Sequence, residues 1–208
     1  MALWSMQAVG VRVAHDVDYR WLVNVGIGMP QVTVEPLAKR GVTLHSENGI
    51  VGLGPSPSIR HEDPDVIDAG KGFATMVDGG SFIDSATSFT LIRGGRLDLA
   101  LMGAYEVSLA SDLVNWRLSS REIAGIGGAA DLAHGAWRVW IITSLFSNDG
   151  SSKLVNKCTH LLTASGVVKR IYTEYGIFEP NIGGFSIVDL ADGITEAELA
   201  ARGVPLKR

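Results

Sequence analysis

The sequence predicts an α/β fold in which a mixed, largely parallel sheet is flanked by helices. Three observations carry that prediction. Strand-like runs dense in Val, Ile and Leu recur along the chain, as a buried sheet requires. Helical stretches with recognisable start and stop residues interleave with them. The 25 glycines sit in short clusters between these elements, not in a low-complexity linker. A length of 208 residues suits one domain spanning 1–208.

The elements follow in order. A helix is expected near 5–15, then the apolar strand WLVNVG (21–26), which runs into GIGMP. Pro30 suits the first turn of a helix that Gly41 ends. VTLHSE (42–47) is the next strand, followed by FATMV (73–77), LDLALMGA (97–104), WRVWIITS (137–144), VVKRIYTEY (167–175) and GFSIVDLA (184–191). Helices fit 85–95, stopped by Gly94 and Gly95, and 127–136. A last helix, 194–203, carries a capping-box pattern from Thr195 to Glu198 and ends at Gly203.

Composition narrows the function. Apolar residues make up 46% of the chain and charged residues only 19%, with a mean hydropathy of +0.20. That leaves little polar side chain to cover a lone globule, which a face shared with a partner protein explains. A net charge of -4 and a pI near 5.7, without a Lys/Arg-rich face, exclude a nucleic-acid binder. No run approaches the roughly 18 apolar residues of a membrane helix. The N-terminus lacks the basic start of a signal peptide, so the expected location is cytoplasmic. Cys158 stands alone and reads as a small core hydrophobe, and His15, His45, His61, His134 and His160 show no metal-ligand spacing.

The stretch LHSENGIVGLG (44–54) is the candidate for chemistry. Side chains alternate along a strand, so Val42, Leu44 and Ser46 face one way and Thr43, His45 and Glu47 the other. Glu47 then stands at the carboxyl end of its strand, where open α/β sheets place ligand crevices. Asn48 and Gly49 form a turn, and Gly52 and Gly54 leave the backbone bare for close approach of a ligand. A carboxylate there is placed to attack an acyl carbon, or simply to accept N–H groups of the turn. His45 reads as a half-buried, satisfied histidine, because a carboxylate needs no base at neutral pH.

LHSENGIVG resembles the active-site signature of the class I CoA-transferases, in particular the B subunits of the 3-oxoacid and 3-oxoadipate enzymes. NVGIGMP (24–30), DPDVIDAGK (63–71), SFTLIRGG (88–95), DLVNW (112–116), GIGGAADL (125–132) and KCTHLLT (157–163) resemble further family segments in the family's order, over about Val23 to Ala191. The resemblance implies a CoA-transferase-like fold and ping-pong transfer from succinyl-CoA to a 3-oxo acid such as 3-oxoadipate or acetoacetate. Glu47 would be the nucleophile that becomes a glutamyl-CoA thioester, and the N–H of Gly128 the oxyanion donor. Asn24, Gly26, Gly28, Asn48, Gly49, Lys71 and Gly127 would line the CoA site. Coenzyme A would be a substrate, with no permanently bound cofactor and no metal. A separately encoded CoA-transferase A subunit would complete a heterodimer or α2β2 assembly.

Three departures concern the acceptor. AGKGFAT stands where the family reads AGKETVT, placing Gly72 and Phe73 beside Lys71. GAYEV replaces GAMQV, introducing Tyr105 and Glu106. NWRLSS replaces NWMIPG, introducing Arg117. Rival readings are a thioester hydrolase or ring-opening relative, a dinucleotide-binding module and a non-catalytic subunit. The glycine motifs do not match the dinucleotide pattern.

Overall fold

The structure, a computed structural model, describes residues 2–117 and 125–207. The chain runs α1 (Met6–Asp16), β1 (Leu22–Val25), a 3-10 turn (Met29–Thr33), α2 (Val34–Lys39), β2 (Thr43–Ser46), β3 (Ile50–Gly54) and β4 (Thr75–Phe82). It continues through α3 (Ser85–Arg93), β5 (Leu99–Met102), β6 (Glu106–Ser108), β7 (Leu113–Val114), α4 (Ala129–Gly135), β8 (Val139–Ile142) and β9 (Leu154–Val155). The last elements are β10 (Val168–Tyr172), β11 (Gly176–Glu179), β12 (Ser186–Leu190) and α5 (Glu196–Ala201).

Nine strands form one sheet in the order β12-β11-β10-β8-β5-β1-β2-β3-β4. The central five, β10-β8-β5-β1-β2, are all parallel. An antiparallel hairpin extends each side, β3–β4 at one and β11–β12 at the other. A small second sheet, β7-β6-β9, stands apart. The mixed, largely parallel sheet expected from sequence is therefore present, with its parallel part in the middle.

Strand alternation divides the core in two. Ala100, Met102, Val139, Ile141 and Ile171 point to the layer holding Ile92 of α3, Leu132 of α4 and Leu199 of α5. Leu99, Leu101, Trp140, Ile142 and Tyr172 point the other way, onto Val9 and Val13 of α1 and Leu37 of α2. Both faces are thus covered, which is why the strands read as unbroken apolar runs. Polar side chains fix the helix starts: Ser5 Oγ accepts from Ala8 N at 3.1 Å, Asp84 Oδ1 from Thr87 N at 2.8 Å and Thr195 Oγ1 from Glu198 N at 3.3 Å.

Several expectations need correction. Pro30 opens a 3-10 turn, and the α-helix proper begins only at Val34. Of FATMV only the last three residues are strand: β4 begins at Thr75 and runs on to Phe82. VVKRIYTEY is not one strand: β10 ends at Tyr172 and a turn folds the chain back into β11. Gly52 and Gly54 are not bare backbone awaiting a ligand but part of β3. Gly52 sits at a register shift with φ +87°, and a Cβ there would lie 2.8 Å from Gly80 Cα of β4, so close strand packing calls for glycine.

Candidate active site

Because β8, β5, β1 and β2 run parallel and adjacent, their carboxyl ends form one rim. A cavity of about 600 Å³ opens along it. Gly26 after β1, Glu47 after β2, Gly103 to Tyr105 after β5 and Thr143 after β8 line it, and residues 125–129 with Leu132 of α4 close the far wall.

Glu47 is held from several directions. Asn24 Nδ2 donates to Glu47 Oε2 at 3.2 Å, and Ser88 Oγ donates to the Glu47 carbonyl at 2.8 Å. Gly49 N bonds to Ser46 O, and Ile83 N to Gly49 O, both at 2.9 Å. Gly49 has φ +124°, and a Cβ would collide with the Ile83 carbonyl. The turn after Glu47 is therefore locked against the start of α3.

His45 completes the arrangement and its protons can be assigned. Ser88 donates its proton to Glu47, so it accepts from His45 Nε2–H at 3.0 Å. His45 Nδ1 then carries a lone pair and accepts from Asn24 Nδ2 at 3.0 Å, which also fixes the orientation of the Asn24 amide. Burial lowers the His45 pKa to about 4, so the ring is neutral at pH 7. Asn24 Oδ1 is left buried without a partner.

Gly128 and Gly127 face the same cavity as Glu47. Gly128 caps α4, and a Cβ on it would lie 2.7 Å from Phe89 Cζ of α3. Arg93 ties the two helices through bonds of 2.7 and 3.1 Å to Asp131. Gly26 lines the cavity, while Asn24 lies buried beneath Glu47. Gly28, Asn48, Gly49 and Lys71 are not among the lining residues. Asn48 donates its amide to the Ile67 carbonyl at 2.7 Å. Lys71 is exposed, with φ +65°, on a tight turn held by Asp68. That loop is moored beside the nucleophile's turn by Ala69 N to Ser46 Oγ at 2.9 Å.

Of the departures, Tyr105 lines the cavity, whereas both oxygens of Glu106 are engaged by Thr159, at 2.7 and 2.6 Å. Arg117 has a buried Nε without a partner. Residues 118–120 of the NWRLSS segment lie outside the described residues. Cys158 has its pKa raised to about 11 by burial, so the thiol is not a nucleophile at neutral pH. Among the described residues no three His, Cys, Asp or Glu side chains are grouped to hold a metal ion, and no helix is long and apolar enough to cross a membrane. Sequence reasoning passed over Ser88, Trp116, Thr143 and Lys153, because no spacing rule links them to Glu47.

A strand-end carboxylate thus faces a glycine-lined helix start across a cavity, on an α/β scaffold whose parallel sheet has antiparallel wings. The chain belongs to the Coenzyme A transferase family, which it matches over residues 7–190, and within it to the B subunits of the 3-oxoacid type. It is 43% identical over 204 residues to the B subunit of the 3-oxoadipate CoA-transferase of Pseudomonas putida, covering 97% of this chain and 96% of that protein. It is 38% identical over 204 residues to the B subunit of the succinyl-CoA:3-ketoacid coenzyme A transferase of Helicobacter pylori, covering 94% and 99%. Among solved structures, an acyl-CoA transferase of Escherichia coli O157:H7 matches with a TM-score of 0.72 at 18% identity, over 100% of this chain and 42% of that one. The decarboxylase AibA/AibB matches with a TM-score of 0.65 at 18% identity, over 96% and 83%. These two likenesses concern the fold alone.

Proposed function

We propose that this chain is the B subunit of a two-component enzyme that moves CoA from succinyl-CoA to a 3-oxo acid, 3-oxoadipate or acetoacetate, through Glu47. The observation that carries the reading is the Glu47 carboxylate, oriented by Asn24 at the edge of a cavity whose opposite wall is the Gly127–Gly128 backbone.

That placement supports the following steps. A Glu47 oxygen attacks the thioester carbonyl carbon, the C–S bond breaks, and CoA thiolate leaves a mixed anhydride. The thiolate then attacks the Glu47 carbonyl carbon, expelling the donor's carboxylate and leaving a glutamyl-CoA thioester. The acceptor's carboxylate attacks this thioester, and the same two steps in reverse release acyl-CoA and free Glu47. Each tetrahedral stage places negative charge on an oxygen, which the Gly128 N–H would receive, a role its position on the cavity wall supports. No base is required, in keeping with a neutral His45 whose two ring nitrogens are already bonded.

The partner, an A subunit, supplies the rest of the pocket. Supporting this, Ile27, Met29 and Ile126 are exposed on the cavity's rim, and the edge strand β4 exposes Met76, Val77 and Phe82. Assaying this chain alone and with its partner, with succinyl-CoA against a panel of acids, tests the reading. Transfer to 3-oxo acids by the pair only is expected. Full-rate transfer by this chain alone, or release of free CoA to water in place of transfer, contradicts it.

A further inference from the structure

Thr143 and Ser144 carry β8 past its carboxyl end and hold one cation between them. Lys153 Nζ donates to Thr143 Oγ1 at 3.0 Å and to Ser144 Oγ at 2.9 Å. Both hydroxyls direct their own protons to carbonyls, Thr143 to Ala104 and Ser144 to Phe146, each at 3.0 Å. They therefore offer the lysine only lone pairs. An ammonium has three N–H donors, and these bonds use two.

Among the described residues Lys153 has no ion-pair partner. Glu174 acts on it only at a distance and has its Oε2 bound to Leu145 N at 3.0 Å. Burial pushes the lysine's pKa below its usual value, so the ammonium is held at a cost that a bound carboxylate would offset. Trp116 Nε1 is a second donor on the same cavity, buried and without a partner.

We propose that Lys153 and Trp116 form a carboxylate subsite at the far end of the Glu47 cavity, which takes the second carboxylate of a dicarboxylic acyl substrate, the one remote from the carbon that Glu47 attacks. The inference rests on the function proposed above and specifies its substrate class. The sheet order sets the scale. Glu47's carboxylate is bonded to Asn24 on β1, and Lys153 to Thr143 after β8, two strands across the sheet and, because Asn24 is level with Ala100 and Ala100 with Val139, four residues further along it. Succinyl-CoA and 3-oxoadipate both have a second carboxylate; acetoacetate has none.

The test uses the assembled two-component enzyme. In Lys153→Met, the ratio of kcat/KM for succinyl-CoA to that for acetoacetyl-CoA should fall about 10- to 100-fold, the usual worth of a hydrogen-bonded charge. Lys153→Arg should recover part of it. An unchanged ratio, with both donors slowed equally or neither slowed, overturns the subsite. Should the variants not assemble, the wild-type enzyme carries the test by reductive methylation read by mass spectrometry. Succinate, and not butyrate, should protect Lys153, and equal protection or none overturns the proposal. Labelling of Glu47 by donor is measured in the same preparations. If Glu47 is labelled but Lys153 does not discriminate, the subsite alone fails. If Glu47 is never labelled, the underlying reading fails and the subsite with it.

Discussion

The two ends of the cavity differ in what they leave open. At the Glu47 end the side-chain donors of Ser88, His45 and Asn24 are all engaged, and the atom left over is an acceptor, Asn24 Oδ1. At the Lys153 end the hydroxyl acceptors are engaged, and what remains are donors, Trp116 Nε1 and the third ammonium proton. The chain thus fixes the Glu47 carboxylate in position in advance, beside a neutral His45, and leaves the other end incomplete in the sense that suits an anion. Preorganisation belongs where charge moves, and an unpaired donor belongs where a ligand will supply the acceptor.

That contrast is broken most severely at Glu47. Glu47→Ala should abolish transfer without unfolding the complex, because among the described residues no other acid lines the cavity to replace it. Glu47→Asp should fall at least about 100-fold, since a shift of about 1 Å ruins the attack geometry. Steady-state transfer with far-UV circular dichroism as the folding control checks both.

Gly128→Ala comes next, with kcat reduced about 100- to 1000-fold if its N–H is moved off the oxyanion position. The added Cβ meets the Phe89 ring, so combining it with Phe89→Ala should restore part of kcat. A double variant no better than the single would show that the loss does not arise from that contact.

Asn24→Ala should slow donor labelling of Glu47 by about 10- to 100-fold, with a smaller effect on donor KM, because Asn24 touches the nucleophile and lies beneath the cavity floor. Stopped labelling time courses separate the two effects.

The smallest effect concerns stability. His45 has its folded pKa lowered to about 4 by burial, against 6.5 in the unfolded chain. Above pH 6.5 the ring is neutral in both states and its contribution is intact. As pH falls from 6.5 to 4 the unfolded chain takes up a proton that the folded chain refuses, so stability declines across that window. His45→Gln should flatten this slope in denaturant titrations at pH 7, 5.5 and 4.5, while keeping a donor for Ser88.

Much of this was legible in sequence, and the reasons are local. Dense apolar runs marked the central strands, Thr195 and Glu198 marked a capped helix, and Glu47's place at a strand end followed from alternation. The short strands β6, β7 and β9 escaped because two or three residues show no period. β3 escaped because its glycines read as a loop, although they serve close packing on β4. At the site, the family resemblance pointed to Glu47, Gly128 and Asn24, but Ser88, buried against the Glu47 carbonyl, and Lys153, on the cavity wall, come from distant segments. Their partners, 41 residues away for Ser88 and 10 for Lys153, are brought near only by the sheet.

The central claim is that the carboxylate fixed by Asn24 is the group that carries CoA. Incubating the assembled enzyme with succinyl-CoA and no acceptor, then digesting and weighing the peptides, tests it directly. The account predicts one CoA added to the peptide containing HSENG, on Glu47, trapped by borohydride reduction and absent from Glu47→Ala. A CoA adduct on any other residue, or wild-type transfer by Glu47→Ala, would contradict it.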